Sequence, residues 1–301
     1  MSTTGLLLMA AVGASVLQPG DYRRSLTVDG RERTYLLHVP PSYDGHRSVP
    51  LVLVFHGGGS NADQMVRFCG LNETADREGF LVVYPNGTGR TRRLLTWNAG
   101  NCCGYAVRNN VDDVKFVREL LREVAKVARV DSRRVYATGM SNGAIFCYRL
   151  ADELSDRFAA IAPVSGTMGR ATCAPKRPVS VLHFHGTDDL FVPYAGGRGR
   201  RSITLTRFFS VEHTIQAWVR ANGCPDKPVV ERLPDRADDG TWVEKKTYGP
   251  GRDGAEVVLV EIHGGGHTWP GREPPLRFLG RTTHDIAAND LIWSFFRRHH
   301  R

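Results

Sequence analysis

Val135-Tyr136-Ala137-Thr138-Gly139-Met140-Ser141-Asn142-Gly143-Ala144-Ile145-Phe146 passes from a β-rich run, through Gly-x-Ser-x-Gly, into a helix-like pattern. A serine at the tip of a tight strand-to-helix turn sits in strained backbone, so the positions two residues either side must lack bulk. Gly139 and Gly143 meet that need. A helix starting just after Ser141 would also aim its free N–H groups and positive dipole end at an oxyanion formed there. The chain has 32 glycines, so the motif is weighed by its surroundings and not taken alone.

Outward from the elbow, short β-branched runs alternate with amphipathic segments. Strands are expected at 34–39, 51–55, 80–84, 134–138, 159–164, 179–185 and 257–262, and helices near 62–79, 112–130, 142–154, 211–222 and 286–300. Nearly continuous apolar strands such as Leu51-Val52-Leu53-Val54-Phe55 predict burial on both faces, hence a mostly parallel, doubly wound α/β sheet with helices on both faces. The polar stretch 225–253 reads as a loop or hairpin before the last strand. The expected organisation is an N-terminal segment, 1–20, followed by one catalytic domain over 21–301.

Ligands of such a sheet meet the loops at the carboxyl ends of its strands. After 51–55 comes His56-Gly57-Gly58-Gly59, whose backbone N–H groups can approach a substrate oxygen. The N–H of Gly58 is chosen as one oxyanion donor and that of Asn142 as the other, with His56 as a structural hydrogen-bonder of the loop. After 179–185 comes Gly186-Thr187-Asp188-Asp189, where Asp189 is taken as the carboxylate orienting a histidine and Asp188 as a residue that caps the turn or faces solvent. After 257–262 comes His263-Gly264-Gly265-Gly266-His267-Thr268-Trp269, which makes His267 the general base and His263 its competitor. The chain order Ser141, Asp189, His267 is the order used on the α/β-hydrolase fold. Trp269 is a candidate substrate-contacting ring, and Trp97 is either a substrate-contacting wall of the pocket or an ordinary packed Trp. Asn109-Asn110-Val111-Asp112-Asp113 lies where a helix begins, so capping explains its acids and no metal is expected.

The formal charge of +9 comes from scattered Lys and Arg with no aromatic-basic reading motif, so no nucleic-acid partner is expected. No stretch is long and apolar enough to span a bilayer, which excludes integral membrane association. Leu6-Leu7-Leu8-Met9-Ala10-Ala11-Val12-Gly13-Ala14 has the apolar core of a secretory signal without the basic n-region, and a secreted or periplasmic location is expected. Of the six cysteines, Cys173 and Cys224 are the favoured pair, Cys102 and Cys103 are adjacent and free to pair elsewhere, and Cys147 is expected as a buried helix residue.

Taken together, Phe55-His56-Gly57-Gly58, Tyr84-Pro85-Asn86-Gly87-Thr88, Thr96-Trp97-Asn98-Ala99-Gly100, Val111-Asp112-Asp113-Val114, Gly139-Met140-Ser141-Asn142-Gly143, His185-Gly186-Thr187-Asp188-Asp189 and Gly264-Gly265-Gly266-His267-Thr268-Trp269-Pro270 carry a resemblance. From about Arg31 to Phe296 the chain resembles esterases of the polyhydroxybutyrate depolymerase type, close to the feruloyl and acetylxylan esterases of carbohydrate esterase family 1. The resemblance implies Ser141, Asp189 and His267 as a catalytic triad, secretion, and no cofactor. No appended substrate-binding or linker domain is visible, so soluble short-chain or hydroxycinnamoyl esters, including those carried on plant polysaccharide, are expected in preference to insoluble polyester. An open groove is expected, with no apolar lid after the oxyanion loop. Acyltransferases, serine peptidases and non-catalytic binding modules share the fold, and release of free acid separates the esterase from them.

Overall fold

The computed structural model describes residues 17–301. The N-terminal segment read as a secretory signal lies outside the described residues. The strands are β1 (Gly20–Val28), β2 (Arg31–Val39), β3 (Val49–Phe55), β4 (Leu81–Pro85), β5 (Val130–Met140), β6 (Ala160–Val164), β7 (Ser180–Gly186), β8 (Val229–Arg232), β9 (Trp242–Tyr248) and β10 (Val257–His263). They form one sheet in the order β1-β2-β4-β3-β5-β6-β7-β10-β9-β8. Its centre, from β4 through β3, β5, β6 and β7 to β10, is parallel, and antiparallel strands flank it on both sides. This is the mostly parallel α/β sheet that the apolar runs predict.

The central strands are buried on both faces because alternate side chains enter two separate cores. Leu51, Leu53 and Phe55 join one with Phe116, Phe146 and Trp218, while Val52 and Val54 join the other with Tyr136, Phe184 and Phe296. The covering helices are α1 (Ala62–Cys69), α2 (Leu71–Glu78), α3 (Gly104–Arg108), α4 (Asp113–Val127), α5 (Asn142–Glu153), α6 (Val211–Asn222) and α7 (Ala288–Phe296). One helix was expected over 62–79, but Gly70 takes φ +60° and its N–H closes on Val66 O, so the segment breaks into α1 and α2. The polar stretch before β10 folds as the β8–β9 hairpin, which extends the sheet edge. Among the described residues no helix is long and apolar enough to cross a membrane.

One cysteine assignment changes: Cys173 and Cys224, the favoured pair, are both free thiols, while Cys102 and Cys103 stand with their sulfurs against each other. The Cys224 sulfur faces the Ala255 carbonyl at 3.6 Å, so that side chain packs against the β10 approach and not against Cys173. Cys147 is a buried free thiol on α5.

Candidate active site

β5 ends at Met140, α5 begins at Asn142, and Ser141 between them holds φ 56°, ψ −120°, a conformation that costs a non-glycine residue on the order of 1–3 kcal/mol. The surroundings enforce it. A Cβ on Gly139 would lie 2.6 Å from the Phe55 carbonyl oxygen, and one on Gly143 would collide with the same carbonyl, so both must be glycine for β3 and α5 to approach the elbow. The Asn142 N–H is the first of the helix and has no intrahelical acceptor. Its side chain clamps a neighbouring loop: Oδ1 accepts from Trp97 N at 2.7 Å and Nδ2 donates to Trp97 O at 3.0 Å.

The glycine loop after β3 lies against the elbow. A Cβ built on Gly57 would meet Ser141 Cβ at 3.5 Å, and one on Gly58 would meet Asn142 Cβ at the same distance. Gly59 donates its N–H to Leu95 O at 2.8 Å and is thereby removed as an oxyanion donor. His56 is fully buried and fixes the loop from beneath. Its Nδ1 is 2.8 Å from Gly57 O, and its Nε2 takes the Gly87 N–H at 3.0 Å. A carbonyl can only accept and an amide N–H can only donate, so the ring is the neutral Nδ1–H tautomer. Burial pushes its pKa down from 6.5 to about 4, in keeping with that assignment.

Asp189 and His267 come from the loops after β7 and β10 and meet at 2.7 Å, Asp189 Oδ2 to His267 Nδ1. Asp189 Oδ1 accepts from the N–H groups of Phe191 at 2.8 Å and Val192 at 2.9 Å. Burial raises the cost of charge on this carboxyl, but His267, His185 and the Val192 N–H outweigh it, and the net direction is downward. Asp188 is exposed and receives only the Thr187 hydroxyl at 3.4 Å. His263 stacks on Trp242 with centroids 3.6 Å apart on the far side of β10 and does not enter the cleft. With Nδ1 engaged by Asp189, Nε2 is the nitrogen of His267 available to Ser141, and both residues line one cleft of about 1600 Å³ with Gly57, Gly58 and Asn142.

Both tryptophans named as substrate contacts are core residues: for Trp269 this is a correction, and for Trp97 it decides for the packed alternative. Trp97 is fully buried, its indole N–H donates to His56 O at 3.0 Å, and its ring stacks on Phe146 with centroids 5.2 Å apart. Trp269 is 1% exposed, donates to Asn289 Oδ1 at 2.9 Å and packs edge-on against Phe68. Each pins a strand-end loop from below, which places the ring away from the cleft. The rings and chains that do line the cleft went unread: Phe191, stacked on His267 at 4.9 Å, and the aliphatic residues Ile203, Leu205 and Leu276. Ile203 and Leu205 are 81% and 79% exposed, and Ile203 Cδ1 reaches within 4.0 Å of where a Gly59 Cβ would stand. The segment carrying them therefore passes close to the glycine loop, so the groove has an apolar rim that the open-groove expectation lacked.

The acids before α4 divide their roles. Asp112 caps the helix by accepting from Lys115 N at 2.9 Å. Asp113 is buried, paired with Arg33 at 2.7 Å and accepting the Asn98 N–H at 2.8 Å, so it braces the loop that carries Trp97. The adjacent Asp-Asp pair was the available signal, but capping explained both acids and concealed the second role.

At the carboxyl edge of this sheet an elbow serine, a glycine loop and a His–Asp pair come together on an α/β-hydrolase fold, and its family makes the chain a carboxylic-ester hydrolase. Residues 33–183 match the family described as Esterase PHB depolymerase, and the chain belongs to that family. It is 33% identical to "Putative esterase NocK" of Nocardia uniformis subsp. tsuyamanensis over 288 residues, covering 90% of this chain and 81% of that protein. To feruloyl esterase B of Piromyces equi it is 28% identical over 244 residues, 78% of this chain but 42% of that longer protein. Among solved structures, acetyl xylan esterase from Aspergillus awamori matches in fold with a TM-score of 0.60 at 16% identity, over 91% of this chain and 99% of that one.

Proposed function

We propose that residues 21–301 act as a secreted or periplasmic esterase whose triad is Ser141, His267 and Asp189, with the N–H groups of Asn142 and Gly58 as its oxyanion hole. The observation that carries this reading is the 2.7 Å contact of His267 with Asp189 beside the strained elbow serine on the same cleft. His267 takes the Ser141 proton as the hydroxyl attacks the ester carbonyl, and the two N–H groups hold the tetrahedral oxyanion. His267 then protonates the leaving alcohol, and water releases the acid from the acyl-enzyme by the reverse sequence. No cofactor or metal enters these steps.

The substrates proposed are soluble short-chain or hydroxycinnamoyl esters, including those borne on plant polysaccharide. The feruloyl and acetylxylan esterase names among its relatives support that choice. Phe191 beside the base offers a face for a planar acyl group, and Arg67, Arg90 and Arg108 on the same cleft favour an acidic carrier. The test pairs a panel of p-nitrophenyl esters, methyl ferulate and acetylated xylan with the Ser141→Ala variant. Folded Ser141→Ala should lose activity by several orders of magnitude and resist a fluorophosphonate that labels the wild type. A folded variant that still hydrolyses esters would overturn the assignment.

A further inference from the structure

β7 carries two histidines, His183 and His185, both fully buried where apolar residues would be the ordinary filling of a parallel strand. Their hydrogen bonds run in one direction. His185 Nε2 is 2.8 Å from Val192 O, which can only accept, so Nε2 carries the hydrogen. Burial pushes both rings below the ordinary histidine pKa and keeps them neutral, which leaves His185 Nδ1 bare. That nitrogen is 3.0 Å from His183 Nε2, which must therefore donate. His183 Nδ1 is bare in turn and takes the Tyr148 hydroxyl at 2.8 Å.

The two ends of this chain matter. Tyr148 lies on α5, the helix whose N-cap is Ser141. Val192, at the other end, donates its N–H to Asp189 Oδ1, and His185 Nε2 lies 3.6 Å from Asp189 Oδ2. We propose that Tyr148, His183 and His185 are positioning residues that lock the helix carrying Ser141 to the loop carrying Asp189, and so set the nucleophile in register with His267. The proposal rests on the triad reading above. Because every member is buried, loss of one donor leaves its neighbour unsatisfied and lets the whole register relax. Misplacing reacting groups by about 1 Å costs roughly a hundredfold in rate.

The experiment compares Tyr148→Phe, His185→Leu and His185→Gln in the full chain, measuring kcat, KM, fluorophosphonate labelling rate and thermal stability. Tyr148→Phe removes one hydroxyl with little change of volume and should lower kcat about tenfold with KM within about twofold. His185→Leu should lower kcat about a hundredfold. His185→Gln keeps a donor for Val192 and should recover about tenfold of that loss, with labelling rates following kcat. A merely structural role would lower thermal stability and leave kcat at the wild-type value in folded Tyr148→Phe and His185→Leu, and that result would overturn the proposal. If His185→Leu does not fold, Tyr148→Phe alone decides. An active Ser141→Ala would remove the triad reading itself, whereas an inactive one beside a fully active Tyr148→Phe removes only this inference.

Discussion

Acid should unfold this esterase through its glycine loop at 56–59. His56 accepts the Gly87 N–H on Nε2, so a proton added there would face another donor inside a fully buried site. Its folded pKa of about 4, against an ordinary 6.5, means the unfolded chain binds this proton first as pH falls. The penalty is absent above pH 6.5 and grows through the window down to pH 4. At about 1.4 kcal/mol per pKa unit it reaches about 3 kcal/mol at the lower end. Buried neutral His183 and His185 act with the same sign, so the wild-type loss alone does not isolate His56. His56→Gln keeps an acceptor for Gly87 without a titrating proton. Urea unfolding of wild type and His56→Gln from about pH 7 to about pH 4 should show the wild type losing about 3 kcal/mol more than the variant. A difference that stays flat within about 0.5 kcal/mol, or a His56 ring resonance titrating near its ordinary value, would refute the reasoning.

Asn142→Ala leaves the buried N–H of Trp97 unpaired, at about 1–3 kcal/mol, while its C=O keeps the Cys103 N–H at 3.2 Å. Its Tm should fall by roughly 2–10 °C, while activity well below the transition stays within about tenfold because the proposed donor is the backbone N–H; an unchanged Tm would deny the clamp its role. Asp189→Asn should cut kcat by about four orders of magnitude through loss of the correct His267 tautomer. Exposed Asp188→Asn should change it less than about threefold, and the opposite ranking in steady-state assays would move the triad acid to Asp188.

The parallel centre of the fold was legible because its signal is local. Strands 51–55, 179–185 and 257–262 are rich in apolar residues and buried on both faces, and the structure extends or shifts them by a residue or two at their ends. β1 was missed because its inward trace, Tyr22, Leu26 and Val28, is interrupted by Arg24, and β8, exposed throughout, lies within the stretch read as a loop or hairpin without its own strand bounds. The Asp189–His267 contact was legible because both residues follow strands whose ends a parallel sheet brings to one edge.

What the sequence concealed is which side of each loop faces the cleft. Trp97 and Trp269 stand beside candidate catalytic loops, and an aromatic ring there reads as a substrate platform. Yet a loop at a sheet edge must also be fastened to the layer beneath it. A tryptophan does that well, since it fills a large volume and needs only one acceptor, which His56 O and Asn289 Oδ1 supply. The residues left to line the cleft are then drawn from segments with no periodic signal. Ile203 and Leu205 alternate with Ser202, Thr204 and Thr206, whose hydroxyls bond one another at 3.2 Å and 3.0 Å and so hold the two aliphatic side chains outward beside the glycine loop. The segment forms no strand of the sheet, and Ile203 and Leu205 line the cleft. Segments that line a cleft without joining a core are thus the ones hydrophobic periodicity leaves unread.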